Sequence, residues 1–223
     1  MPKNLTVGVM QPYWAPYLGY FRLMHAVDIF IVLDDVQFPR RGFVHRNKFR
    51  KQNLSEDWFT LPILKASQKA LISELEFHPD ADSLIKKQRS SFPVLSAGFG
   101  VIDNYMKNLE GSVASLLFCT MKEFMNCLGL NCDFVLSSEL NEKSSNGQIK
   151  ILKLVKAVGG KRYINPSGGR DLYDERLFKK NGLNLEFLVP WKGRGVSILE
   201  ECREPVDFRT ARSRIISQTV SIR

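Results

Sequence analysis

Two neighbouring carboxylates, Asp34 and Asp35, close an apolar run, and Gln37, His45, Arg46, Asn47 and Lys48 follow within a short stretch. A histidine titrates near neutral pH and a carboxylate is a ready proton acceptor, while amide N–H groups can steady a developing oxyanion. His45, Asp34, Asp35 and Asn47 are therefore the candidate catalytic groups. Upstream stand Gln11, Tyr13, Tyr17 and Tyr20. Arginine forks match phosphate geometry and flat rings stack on one another, so these residues with Gln37, Arg46 and Lys48 suit an anionic, partly planar ligand. A second group, Asn165, Ser167, Gly168 and Gly169, follows a short β-like stretch, and its paired glycines permit close backbone approach to a ligand. Free N–H groups of the helix-like stretch after it could receive a phosphate or carboxylate. Both groups also have a purely structural explanation, because strand ends attract turn formers and glycine clusters mark ordinary loops.

The elements that must hold these residues can be read from pattern. Residues 6–10 are apolar and β-branched and stop at Gln11-Pro12, which predicts a buried strand. Pro12 and Pro16 delay the next helix, expected over residues 21–26. Residues 28–33 are almost continuously apolar, as in a strand covered on both faces. Further strands are expected over 58–64, where Pro62 suggests an edge, and over 71–77. A helix over 81–91 carries Lys86, Lys87 and Arg89 on one face. The region 93–129 reads as helical, over 101–109 and 112–128, with Gly129 ending it. A strand over 132–136, a turn over 144–147, a helix over 148–158, a strand over 162–164, a helix over 174–180 and a strand over 183–189 complete the pattern. This alternation predicts an α/β fold with a mostly parallel sheet flanked by helices, and it brings the loops at Gln11, Asp34 and Asn165 to one rim. Residues 1–190 are expected to form one α/β domain, with a helical segment at about 93–129, and residues 191–223 a basic C-terminal segment.

Gln11-Pro12, Pro16-Tyr17-Leu18-Gly19-Tyr20-Phe21, Asp28, Asp34-Asp35-Val36-Gln37-Phe38, Arg46-Asn47-Lys48 and Tyr163-Ile164-Asn165-Pro166-Ser167-Gly168-Gly169 together resemble the WbqC-like family of bacterial surface-polysaccharide clusters. The resemblance runs to about Pro190; residues 203–223 depart from it. It implies an enzyme of bacterial glycan biosynthesis, such as O-antigen assembly, that transfers an N-acyl or N-aminoacyl group to the amine of a nucleotide-linked amino sugar. The donor would be acyl-CoA or a carrier-protein thioester. A non-catalytic nucleotide-sugar or carbohydrate-binding protein of the same pathway is the alternative. The strand, loop, helix, strand rhythm also resembles the nucleotidylyltransferase superfamily, a Rossmann-like fold. Tyr17-Leu18-Gly19-Tyr20 occupies the place of that superfamily's histidine motif, so the shared rhythm supports the fold and not adenylyl transfer.

Composition sets the remaining bounds. The chain has 223 residues, 44% of them hydrophobic, enough for a substantial core. No apolar run approaches bilayer length and the first four residues hold no signal core, so a cytosolic protein is expected. Cys119, Cys127, Cys132 and Cys202 lack the paired spacing of a zinc site and are expected to be reduced thiols; no metal is expected. The formal charge of +9 favours an anionic partner. It is concentrated in residues 40–51 and 203–223, yet no nucleic-acid-binding motif accompanies it, so nucleotide sugar rather than nucleic acid is the expected partner. A homodimer is compatible with the sequence.

Overall fold

A computed structural model describes residues 4–142, 147–202 and 208–222. Its centre is a sheet of five parallel strands: β1 (Thr6–Met10), β2 (Ile29–Val32), β5 (Asp133–Leu136), β6 (Arg162–Pro166) and β7 (Asn184–Leu188). Their spatial order is β5-β2-β1-β6-β7, and a two-residue β8 (Ser221–Ile222) pairs antiparallel on the far side of β7. The remaining strands, β3 (Arg46–Arg50) and β4 (Glu56–Thr60), form a separate antiparallel ribbon. Among the parallel strands, the first three in the chain occupy one half of the sheet and the later two the other. The order thus reverses between β1 and β6, and such a switch opens a crevice beyond the strand ends.

Alternation along the strands divides the core. Val7, Val9, Ile31, Tyr163, Leu185 and Phe187 face α5 (Gly147–Ala157) and α6 (Glu175–Lys180), where Leu154, Val155 and Phe178 meet them. Phe30, Val32, Ile164 and Leu188 point the other way. That layer contains α1 (Leu18–His25), α2 (Ala81–Arg89), α3 (Pro93–Ser96), α4 (Val113–Cys127) and the inner face of the ribbon. α7 (Ile198–Glu201) and α8 (Phe208–Ser217) join it through Ile198, Cys202, Ala211 and Ile215, so described parts of the basic C-terminal segment lie in the main core.

Several local expectations change. The helix expected from residue 21 begins three residues earlier, at Leu18, because Pro16 restrains only its own φ and the residue before it and leaves residues 18–20 free to turn helical. Residues 71–77 do not form a strand; Ile72–Glu74 is a 3-10 turn, and the Glu74 carboxylate accepts from the Leu71 N–H at 2.9 Å. Residues 58–60 belong to the ribbon and not to the main sheet. The helical region 93–129 begins with short pieces, α3 and the 3-10 segment Gly100–Met106, before α4. Gly129 follows α4 with φ +62, the left-handed conformation that glycine adopts without a Cβ penalty. Of the turn expected over 144–147, residues 144–146 lie outside the described residues, as do 203–207 of the tail.

Candidate functional site

The crevice position is occupied by predicted residues. Gly8 pairs with Ile164, so Gln11 leaves β1 and Ser167 leaves β6 at equivalent distances beyond that pair. Met10 pairs with Val32 and Val32 with Leu136, which brings Gln11, Asp34 and Ser138 to the same rim. The side chains then separate into distinct groups.

Tyr13, on the loop after β1, lies 4.9 Å from Phe43 between ring centroids, and Phe43 lies 5.3 Å from Trp58 of β4. Tyr20 and Tyr17 stand behind Tyr13 at 5.5 and 6.4 Å. The Arg46 guanidinium sits over the Trp58 ring at 4.0 Å and the Lys48 ammonium at 5.4 Å. Ribbon register explains the grouping: Arg46 is opposite Thr60 and Lys48 opposite Trp58, all on one face, while Asn47, Phe49 and Phe59 turn inward. The result is an aromatic ledge with two cations, and Phe43 is 41% exposed on it. Burial raises the phenol pKa of Tyr13, Tyr17 and Tyr20, so all three stay neutral. The Tyr20 hydroxyl donates to the main-chain carbonyl of Gln11.

Asp34 and Asp35 belong to a second group. Asp34 is buried, and its carboxylate accepts from the Ser138 N–H at 2.9 Å, the Ser138 hydroxyl at 2.7 Å and the Ser137 hydroxyl at 3.0 Å. It ties β2 to the turn Ser137–Leu140 that follows β5. Asp35 pairs with Lys150 of α5 at 2.5 Å, with the two side chains 19% and 9% exposed respectively. The single Ser137 hydroxyl hydrogen is shared between Asp34 and Asp35.

His45 makes no side-chain hydrogen bond among the described residues, and its buried Nδ1 has no partner. Its ring stands edge-on to Phe38 at 4.8 Å. Burial first, then the neighbouring Arg46 charge, lowers its pKa to about 4, so at neutral pH it is an uncharged imidazole. Asn47 donates to the carbonyls of Trp14 at 3.2 Å and Ala15 at 2.8 Å, and accepts from the Lys48 N–H at 2.8 Å. Both amide hydrogens are thereby committed to fixing the Tyr13 loop, where Ala15 has φ +48.

The remaining predicted residues are scattered around these groups. Gln37 is exposed and donates to the Gln68 carbonyl at 2.8 Å. Asn165, next to last in β6, is buried, its Oδ1 without a hydrogen-bond partner among the described residues, and its amide nitrogen fills the space where a side chain on Gly169 would stand. Gly168 is exposed beside the half-buried Ser167, and a Cβ on Gly168 would meet nothing within 4 Å. The ledge thus gathers Tyr13, Tyr17, Tyr20, Arg46 and Lys48. Asp34 and Asp35 stand with Ser137 and Lys150, and Asn165 stands with Gly169.

Residues that pattern reading missed have identifiable signals. Lys150 lies on the apolar stripe of its helix with Ile151, Leu154 and Val155, and a lysine there calls for a buried partner. Phe43 and Trp58 become ledge residues only once residues 46–50 are recognised as a strand.

A family model described as the WbqC-like protein family matches residues 11–192. A stretch of 57 residues, 26% of the chain, is 37% identical to "Uncharacterized protein Rv1507c" of Mycobacterium tuberculosis, and the match covers 24% of that relative's length. No solved structure matches the chain. Among the described residues no helix is long and apolar enough to cross a membrane.

Proposed function

The chain belongs to the WbqC-like protein family, and from that premise we propose that it binds a nucleotide-linked amino sugar on the aromatic ledge and acylates its amine from an acyl-CoA or carrier-protein thioester. The observation that carries this reading is the stacking of Arg46 on Trp58 with Lys48 alongside. A flat base finds ring surface there, and a diphosphate finds two cations.

In the reaction the amine lone pair adds to the thioester carbonyl, the C–S bond breaks and thiolate leaves, and the proton lost from nitrogen goes to a base. His45 is already uncharged and can receive it, although a pKa of about 4 means that it holds the proton weakly. Catalysis then rests mainly on alignment of an already activated donor. Asp34 and Asn47 contribute by holding the rim and the Tyr13 loop, since their polar atoms are engaged there.

The same engagement of Asp34 and Asn47 favours a second reading, a non-catalytic nucleotide-sugar binder. One experiment separates the two. Purified protein is mixed with UDP- or dTDP-linked 3- and 4-amino sugars, Trp58 fluorescence is followed, acetyl-CoA is added, and the sugar product is weighed by mass spectrometry. Transfer requires quenching and a mass gain of one acetyl group; quenching alone identifies the binder. Neither signal with any sugar overturns both. Arg46→Ala is expected to weaken binding about tenfold and, because its Nε also donates to the Gly42 carbonyl at 3.1 Å, to lower the melting temperature only slightly.

A further inference from the structure

We infer that the groove between α2 and the 3-10 segment Gly100–Met106 is a second anion site, shaped for a small phosphate monoester with a flat or apolar body. It is an open groove with a volume of about 280 Å³. Ile85, Phe99 and Met106, all nearly inaccessible to solvent, make its floor, and Lys86, Arg89 and Lys107 stand around its mouth. This volume lies just below the usual range for pockets that take drug-sized ligands, which limits the occupant to about one ring and one phosphate.

Among the described residues the acidic groups nearby form no ion pair with two of the cations, although Asp103, its pKa lowered first by the Phe99 N–H and then by Lys107, also feels the Arg89 charge. Asp82 accepts from the Leu109 N–H at 3.1 Å. Asp103 accepts from the Phe99 N–H at 3.1 Å and pairs with Lys107 at 3.1 Å. Lys86 and Arg89 have no carboxylate at ion-pair distance among the described residues. Arg89 is nonetheless oriented, its guanidinium 5.7 Å from the centre of the Phe99 ring, and an arginine steadied on an aromatic face is prepared to receive a phosphate in its fork.

The site is separate from the ledge. Phe99 packs on Phe59 at 5.7 Å and on Trp14 at 6.3 Å, against the inward face of the ribbon, whereas Arg46, Lys48 and Trp58 occupy the outward face. A ligand in the groove therefore does not compete with one on the ledge, and the groove stands whether or not the ledge takes a nucleotide sugar.

Met106 provides a local reporter. Phenyl phosphate and, separately, inorganic phosphate are titrated into the full chain carrying ¹³C-labelled methionine methyls. Phenyl phosphate is expected to move the Met106 resonance saturably while Met121 and Met125, buried in α4, stay in place. Inorganic phosphate, lacking the ring, should need about tenfold more, and Lys86→Ala with Arg89→Ala should weaken phenyl phosphate at least about tenfold. Arg46→Ala should change nothing at Met106. Lys86→Gln, at an exposed position with no ion pair among the described residues, decides the matter if the double variant melts early, and should weaken binding severalfold. No saturable shift at Met106, an equal shift in the charge variants, or loss of the shift in Arg46→Ala overturns the site.

Discussion

At the scale of single residues, burial determines what His45 and Asn47 can do. An unfolded histidine binds a proton near pH 6.5, but His45 in the fold does so only near pH 4. Between those values the unfolded chain holds more protons, so stability is fully present above about pH 6.5 and is lost as pH falls toward 4. His25, also lowered by burial and by Arg212, acts in the same direction. Urea unfolding at several pH values should show this loss, and His45→Gln should make the curve shallower without abolishing it. Asn47→Ala removes two donated hydrogen bonds and one accepted bond at a buried position, and should cost about 2–3 kcal/mol in the same assay. Residue type was enough to single out both. It could not reveal that the Asn47 hydrogens already serve carbonyls distant in the chain, because those contacts exist only after the Tyr13 loop folds back on the ribbon.

At the scale of elements, the loop after β2 is tied to α5 by an ion pair with restricted solvent access, Asp35 with Lys150. Lys150→Met leaves Asp35 charged and short of a partner, which should destabilise the protein by about 3 kcal/mol. Adding Asp35→Asn should restore part of the loss, and thermal melts of the two single variants and the double variant give the coupling. Strands β1, β2, β5, β6 and β7 were legible because each centres on β-branched, aromatic or leucine residues beside a clear breaker. The ribbon was not. Its inward residues Asn47 and Phe49 alternate with Arg46, Lys48 and Arg50, and three cations in five positions read as a charge cluster and not as the outer face of a strand. The ledge depended on that missed alternation.

At the scale of the whole molecule, the alternation of strands and helices was enough to anticipate a parallel sheet with the Gln11, Asp34 and Asn165 loops on one rim. Composition was a poorer guide to the end of the chain. The basic character of residues 191–223 hid Ile198, Cys202, Ala211 and Ile215, which complete the core above α1. Ser197 donates to the Ala15 carbonyl at 2.8 Å, and Glu200 accepts from the Arg50 N–H at 2.9 Å, so this segment also braces the ribbon and the Tyr13 loop. Truncation after Val189 is expected to abolish a cooperative thermal transition, as circular dichroism would show. The net charge of +9 acts over longer range. Association with a nucleotide sugar should slow as salt rises from about 0.05 to 0.2 M, because screening shortens the reach of that field; stopped-flow quenching measures it.

The position of β1 has a consequence for biosynthesis. Thr6 meets Arg162 across the middle of the sheet, so β1 acquires its second neighbour only after β2 to β5 and the helices between them have left the ribosome. Until then a hydrophobic backbone edge stays open to foreign pairing, and translation interrupted between β5 and β6 should yield fragments that aggregate or engage chaperones.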